Sequence, residues 1–204
     1  MPIPDTHERR LILGSSSPYR QELLRRLRIP FDVVSPDIDE TALPGEAPAA
    51  LATRLALAKA QAVARQHPEA IVIGSDQVAD LHGQALGKPG THERARAQLQ
   101  AMSGELVVFH TALAVICAAQ DFTAQDLAPV RVRFRTLGAA EIENYLQAEK
   151  PYDCAGSAKA EGLGIALLSS IESDDPTALI GLPLIRTCRL LRQAGIELLT
   201  GASA

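Results

Sequence analysis

The sequence has little cysteine and no long apolar run. Its three cysteines, Cys117, Cys154 and Cys188, are too few and too far apart to indicate a disulfide framework or a CxxC metal site. The N-terminus contains no apolar segment of signal-peptide length. The longest apolar stretches, such as residues 111–119, are too short to span a bilayer. We therefore expect a cytoplasmic protein with reduced thiols and no membrane insertion.

A strong positive charge is also absent. The formal net charge is -4 at pH 7, so the overall field does not favour binding to a nucleic-acid polymer. A local cluster of Lys and Arg can still hold a small phosphorylated ligand in an acidic protein. The hydrophobic fraction of 47% argues against disorder, and 204 residues suit one domain. We expect that domain over residues 11–199, between a flexible N-terminal tail at residues 1–10 and a C-terminal tail at residues 200–204.

Strand and helix patterns alternate along the chain. Short apolar runs ending in glycine predict buried strands at residues 11–14 and 70–74, and residues 165–171 predict another. The alanine-rich stretch 48–66 has the strongest helical pattern. Because other strands pair as hairpins, the sequence predicts an α/β fold with a mixed sheet. In this interpretation residues 75–77 lie just beyond the end of the 70–74 strand.

Several basic and hydroxyl side chains suit an anionic ligand. Residues 14–20 place a turn of serines between a strand and a helix, where backbone N–H groups, hydroxyls and Arg20 can face a phosphate. An ordinary helix capped by Ser17 explains the same pattern. Lys59 and Lys88 are either further phosphate ligands or solvated surface charges. The Walker and dinucleotide-binding fingerprints are both absent from the sequence.

Carboxylates occur at two places that suit a metal ion or a reacting water. Asp39 and Glu40 lie in an acidic loop, where they suit a hard divalent cation or simply face solvent. Asp76 follows the buried 70–74 strand, at the edge where open α/β sheets place their ligands. It can therefore hold a metal or activate water, or it can cap the backbone of a turn. From position alone, these interpretations of Asp76 have equal support.

Seven short motifs, taken in order, resemble the Maf family over about residues 11–199. They are Ser15-x-Ser17-Pro18-x-Arg20, Asp39-Glu40-Thr41, Ala58-Lys59-Ala60, Gly74-Ser75-Asp76, Gly87-Lys88-Pro89, Ala155-Gly156 through Glu161-Gly162, and Gly181-Leu182-Pro183-Leu184. The resemblance implies an elongated mixed β-sheet flanked by helices, with two lobes around a central cleft, as in Maf and ITPase-like folds. It also implies hydrolysis of a nucleoside triphosphate between the α- and β-phosphates, giving a monophosphate and pyrophosphate, with Mg²⁺ or Mn²⁺ as cofactor.

The resemblance also implies roles for individual residues. Asp76 falls on the position of the family's proton acceptor, and Glu40 and Asp76 fall on metal-site positions. The positions that bind the substrate phosphates fall on Ser15, Ser17, Arg20, Lys59 and Lys88. The implied partner is therefore a small-molecule nucleotide.

Three family positions distinguish substrate classes, and they fall on Tyr19, Gln77 and Glu161. The group that acts on dTTP and UTP typically has Arg, Thr and Gln there, whereas the pattern here is similar to the group that acts on 7-methyl-GTP. N7-methylation gives guanine a positive charge, which the Glu161 carboxylate would attract while accepting from N1–H and N2–H₂. A Tyr19 ring stacked on the base would add a cation–π contact. This chain departs from the group at Ala158, where an aromatic residue is common.

Other functions stay open at this point. One is the same reaction on dTTP, UTP or another unmethylated triphosphate. Another is a nucleotide-binding regulator, for example of cell division, although a regulator has no need for a water-activating carboxylate such as Asp76 beside its phosphate donors. The motif at residues 181–184 suits either the core or the seam of a homodimer, so the oligomeric state is also open.

Overall fold

A mixed sheet of seven strands forms the centre of the protein in a computed structural model that describes residues 9–199. The strands are β1 (Leu11–Gly14), β2 (Asp32–Val33), β3 (Ile71–Leu81), β4 (Gln84–Leu86), β5 (Leu106–Cys117), β6 (Phe122–Phe134) and β7 (Leu168–Glu172). Their order is β2-β1-β3-β5-β6-β7, and β4 pairs with β3. β1 runs parallel to β2 and β3, whereas the other pairs are antiparallel. The predicted α/β fold with a mixed sheet is confirmed.

Five helices of the described residues flank the sheet. They are α1 (Pro18–Arg25), α2 (Pro48–Ala64), α3 (His92–Met102), α4 (Ala139–Glu149) and α5 (Leu184–Gln193). The α1 start follows from its sequence, because the Ser17 side chain accepts from the Arg20 backbone N–H and Pro18 occupies the first turn. Within residues 9–199, no helix combines the length and apolarity needed to cross a membrane. The predicted tails at residues 1–8 and 200–204 lie outside the described residues.

Hydrophobic clusters cover both faces of the sheet. On one face, α1 and α5 pack on β1, β3 and β5 in one cluster, and α3 and α4 pack on β5 and β6 in another. On the opposite face, α2 packs on β1, β3 and β5. The first face thus carries two separate clusters, one reaching β1 and the other reaching β6.

The structure corrects the predicted end of β3. β1 ends at Gly14 opposite Gly74, whereas β3 continues to Leu81 because it stays paired with β5. This antiparallel pairing supplies the hydrogen bonds that keep the strand extended. Residues 75–77 therefore lie inside β3 and beyond the end of β1. Among the described residues, the edge of β3 that faces β1 has no strand partner between Gly74 and Ala79, where its pairing with β4 begins.

The last strand is also shorter than predicted. The sequence predicts a strand at residues 165–171, but residues 163–167 form a 3₁₀ turn and β7 begins at Leu168. The backbone N–H groups of Gly162 and Gly164 donate to the Lys159 carbonyl, at 3.0 and 3.1 Å. The Ile165 N–H likewise donates to the Gly162 carbonyl at 3.3 Å, so local hydrogen bonds keep the chain in a turn up to the start of β7.

Candidate active site

A cavity of about 630 Å³ opens where β1 ends and β3 continues. Nine of the ten predicted site residues line it: Ser17, Tyr19, Arg20, Glu40, Lys59, Asp76, Gln77, Lys88 and Glu161. Ser15 lies behind the wall, where its side chain is buried. The Ser15 hydroxyl accepts from the Arg20 Nη1 at 3.4 Å and from the Ser17 backbone N–H at 3.2 Å. The structure therefore brings together residues that lie far apart in the sequence.

Both faces of β3 contribute to this cavity. Successive side chains of a strand point to opposite faces, so Asp76 lies on the α2 face and Gln77 on the other. The Asp76 carboxylate contacts Lys59 of α2, and the Gln77 amide contacts the turn at residues 178–180. Because β1 has already ended, side chains from both faces reach the same opening.

Lys59 lies between two carboxylates. Its Nζ is 2.6 Å from Glu40 Oε1 and 2.6 Å from Asp76 Oδ1. Lys59 is 6% exposed and Asp76 is 7% exposed. The close approach of α2 to β3 depends on Gly74, because a Cβ there would lie 2.3 Å from the Ala56 carbonyl oxygen. This approach places a buried cation between the predicted metal ligands.

Further positive charges surround Glu40. Burial acts to raise the pKa of Glu40, but the hydrogen bond and charge of Lys59, followed by the charges of Lys88 and Arg20, bring that pKa below its ordinary value. Burial lowers the pKa of Arg20, against the opposing charges of Asp76 and Glu40. The Arg20 Nε donates to the Gly181 carbonyl at 2.8 Å. The guanidinium is thus held in a fixed position at the cavity wall.

A second group of lining residues is partly apolar and contains Tyr19, Cys154, Ala158 and Glu161. Burial raises the pKa of Tyr19, and Cys154 and Asp153 add to this effect. Loss of hydration also raises the pKa of Glu161. Burial raises the pKa of Cys154 to about 12, so its thiol is protonated at neutral pH and does not suit a nucleophile.

The Gln77 amide connects β3 to the turn at residues 178–180. Its nitrogen lies 2.9 Å from the carbonyl oxygens of Ala178 and Leu179, and 2.9 Å from the Thr111 Oγ1. Two carbonyl acceptors require the NH₂ end of the amide on this side, so the orientation of the side chain is determined. Gln77 thereby positions a part of the cavity wall and keeps its oxygen as an acceptor.

Two residues in these contacts, Thr111 and Gly181, were not predicted as site residues from the sequence. Thr111 lies in the largely apolar strand β5, and its hydroxyl donates to the Ala178 carbonyl at 2.8 Å. Gly181 belongs to a motif that suited either the core or a dimer seam. In the structure its carbonyl accepts from Arg20 and from the Ser75 hydroxyl, and Leu182 is buried in the core. No local motif could have indicated that the Gly181 carbonyl accepts from Arg20 and Ser75, because these contacts join residues more than a hundred positions apart.

The donor set of Glu40 and Asp76 fits a divalent cation that is shared with a substrate. Within the part of the chain that the structure describes, no group of three or more His, Cys, Asp or Glu residues could hold a metal alone. Mg²⁺ is commonly bound by one or two carboxylates together with phosphate oxygens. Two carboxylates that already share one cationic group, Lys59, therefore suit such a site.

Comparison with known proteins decides the family. The model of the Maf-like protein family matches residues 10–194. The chain belongs to the Maf family. Proteins named 7-methyl-GTP pyrophosphatase from Polaromonas sp. (strain JS666) and Albidiferax ferrireducens are similar to it, at 68% identity over 190 residues and 66% over 192 residues. These alignments cover 93% and 94% of this chain, and 87% and 96% of the respective relatives.

A third relative with the same name, from Xanthomonas axonopodis pv. citri, is 60% identical over 189 residues. That alignment covers 93% of this Maf family chain and 98% of the relative. The resemblance inferred from the seven motifs is therefore confirmed.

Proposed function

We propose that this Maf family protein is a nucleotide pyrophosphatase that hydrolyses 7-methyl-GTP to 7-methyl-GMP and pyrophosphate. It is thus a hydrolase that acts on a phosphorus-containing anhydride. One observation carries the proposal: a single cavity is lined both by a group of cations and carboxylates and by Tyr19 with Glu161. The names of the three relatives support the same substrate.

Three cations would bind the triphosphate. Arg20 is pre-positioned by the Gly181 carbonyl and the Ser15 hydroxyl, so little conformational freedom is lost when its guanidinium contacts a phosphate. Lys59 and Lys88 line the same cavity and add point charges. Ser17, the N-cap residue before α1, also lines the cavity and would contribute polar groups. The three cations together would compensate the negative charge of the bound triphosphate and then of the departing pyrophosphate.

Asp76 would act on the attacking water. Its carboxylate lines the cavity on the α2 side and can orient or deprotonate a water that attacks the α-phosphorus. The bond from that phosphorus to the bridging oxygen then breaks, and pyrophosphate leaves near Lys59 and Lys88. A Mg²⁺ or Mn²⁺ ion held by Glu40 and Asp76 would neutralise part of the phosphate charge.

The base would contact the second group of residues. The Glu161 carboxylate can accept from N1–H and N2–H₂ of guanine and attract the positive charge of the N7-methylated ring. The Tyr19 ring can stack on that ring through a cation–π contact. The Gln77 Oε1 offers a further acceptor on the cavity wall. These features favour a cationic purine over a neutral pyrimidine.

A panel of triphosphates tests the proposal. Purified protein is incubated with Mg²⁺ and 7-methyl-GTP, GTP, dTTP or UTP, and nucleotide products are separated while pyrophosphate and phosphate are measured independently. We expect equal amounts of monophosphate and pyrophosphate, with kcat/KM highest for 7-methyl-GTP by about tenfold or more, as one additional charged contact would give. Release of phosphate and a diphosphate, or a preference for dTTP or UTP, would contradict the proposal.

A cytoplasmic location and a homodimer stay predictions of the sequence.

A further inference from the structure

Glu149 and Lys159 form an ion pair behind the proposed base-binding residues. The Lys159 Nζ lies 2.8 Å from Glu149 Oε1, and the two side chains are 26% and 16% exposed. The second carboxylate oxygen, Oε2, accepts from the Leu163 backbone N–H at 2.9 Å. Neither residue lines the cavity. The pair is therefore more buried than a surface contact but lies outside the cavity that would hold substrate.

The chain folds tightly around this pair, and Glu161 lies within that fold. The Lys159 carbonyl accepts from the backbone N–H groups of both Gly162 and Gly164. Gly162 lies directly against the Glu149 carboxylate, since a Cβ there would come within 2.8 Å of it. The Glu149 carboxylate thus contacts the Lys159 side chain on one side of Glu161 and the Gly162–Leu163 backbone on the other.

Lys159 also contacts the proposed stacking residue. Its Nζ lies 5.6 Å from the centroid of the Tyr19 ring, within the range of a cation–π contact. Tyr19 lines the cavity and Lys159 does not. One ion pair from the end of α4 and the following loop therefore contacts both the segment that carries Glu161 and the ring of Tyr19.

We propose that the Glu149–Lys159 pair is a positioning clamp that sets the preference for the methylated base, acting through Glu161 and Tyr19. This inference rests on the function proposed above. The clamp residues are not among the residues that contact Asp76 or the predicted phosphate ligands. Loosening the clamp should therefore weaken recognition of the base while the phosphate chemistry continues.

Two neutralising variants separate positioning from simple charge. Glu149→Gln leaves the Lys159 ammonium uncompensated near a cationic base, whereas Lys159→Met leaves the Glu149 carboxylate uncompensated. A purely through-space charge effect would lower the preference for 7-methyl-GTP in the first variant and raise it in the second. A positioning role lowers the preference in both, because each variant removes the ion pair. Lys159→Arg keeps the pair and should retain the wild-type preference.

The experiment measures kcat and KM for 7-methyl-GTP and GTP in the wild type and these variants. Arg131→Met and Glu172→Gln are the matched control, because this exposed pair joins β6 and β7 outside the cavity, with Nε and Oε2 3.6 Å apart. We expect both clamp variants to lower the ratio of kcat/KM for 7-methyl-GTP to kcat/KM for GTP about three- to tenfold. Loss of one hydrogen-bonded contact would have an effect of this size. The loss should appear in KM for 7-methyl-GTP, with kcat for GTP nearly unchanged.

Three results would overturn the clamp. They are an unchanged ratio in both variants, opposite shifts in the two variants, or equal losses of kcat for both nucleotides. The last would indicate a general structural role, and melting curves of the same samples would show the accompanying destabilisation. Failure of the wild type to prefer 7-methyl-GTP would instead overturn the proposed function, so the two failures are distinguishable.

Discussion

Replacing Asp76 with Asn removes the proposed water-activating carboxylate with a minimal change of shape. A positioned general base typically contributes about 10²–10⁴-fold to the rate, so we expect kcat to fall by that range. At about 1.36 kcal/mol per tenfold, this loss raises the barrier by roughly 3–5.5 kcal/mol. KM should change much less, because Arg20, Lys59 and Lys88 still line the cavity and can bind the phosphates.

The fold should tolerate this change because of the second carboxylate beside Lys59. Breaking a buried ion pair costs about 3–5 kcal/mol when the remaining charge is left without a partner. Here the Lys59 Nζ keeps the Glu40 carboxylate at 2.6 Å, and the amide oxygen of an Asn can still accept from it. We therefore expect a loss of about 1 kcal/mol, the net value of one hydrogen bond. In a chain of this size, such a loss lowers Tm by roughly 2–4 °C.

Pyrophosphate release and thermal melting are measured on the same preparation. Asp80→Asn is the matched control, because Asp80 lies on the same face of β3, pairs with the His110 Nε2 at 3.2 Å and does not line the cavity. Its kcat should stay within about twofold of the wild type. A kcat for Asp76→Asn within about tenfold of the wild type would refute the role of Asp76. Equal losses of kcat in Asp76→Asn and Asp80→Asn would show that the effect is not specific to Asp76.

Three further predictions concern recognition, packing and pH. Glu161→Gln should lower kcat/KM for 7-methyl-GTP about tenfold and for other triphosphates less, since only the methylated base is cationic. Equal losses across all bases, dTTP and UTP included, would assign Glu161 to the phosphates. Gly74→Ala should force α2 away from β3, because the new Cβ would meet the Ala56 carbonyl oxygen. We expect this to lower the free energy of unfolding by about 3 kcal/mol and Tm by roughly 6–12 °C. An unchanged Tm would contradict this prediction. Hydrogen bonds from Arg54 and the backbone lower the pKa of Glu46 to about 2 from its ordinary value of 4.5, so its contribution to stability is present above pH 4.5 and disappears as the pH falls toward 2. Urea unfolding should therefore show the wild-type advantage over Glu46→Gln shrinking in that range, and an advantage independent of pH would disprove it.

Local sequence was sufficient for most helices and for the parts of the site that lie within one segment. Ser17 caps α1 because its hydroxyl needs to reach only the Arg20 backbone N–H three residues on. Leu11–Gly14 and the start of β3 are strands because their side chains are apolar on both faces. The order of the motifs also indicated the family, and it predicts a role for Asp76, although neither motif order nor local pattern showed what Asp76 contacts.

Only the tertiary structure decided how these segments meet. Lys59 contacts Asp76 across 17 residues, Gln77 contacts Ala178 across 101, and Arg20 contacts Gly181 across 161. Each of these contacts depends on which strands are neighbours and where β1 ends. Because the continuation of β3 depends on hydrogen bonds donated and accepted by β5, the sequence near Asp76 cannot specify that it lies within a strand. The residue types of the site were thus determined locally, and its geometry by pairing between distant segments.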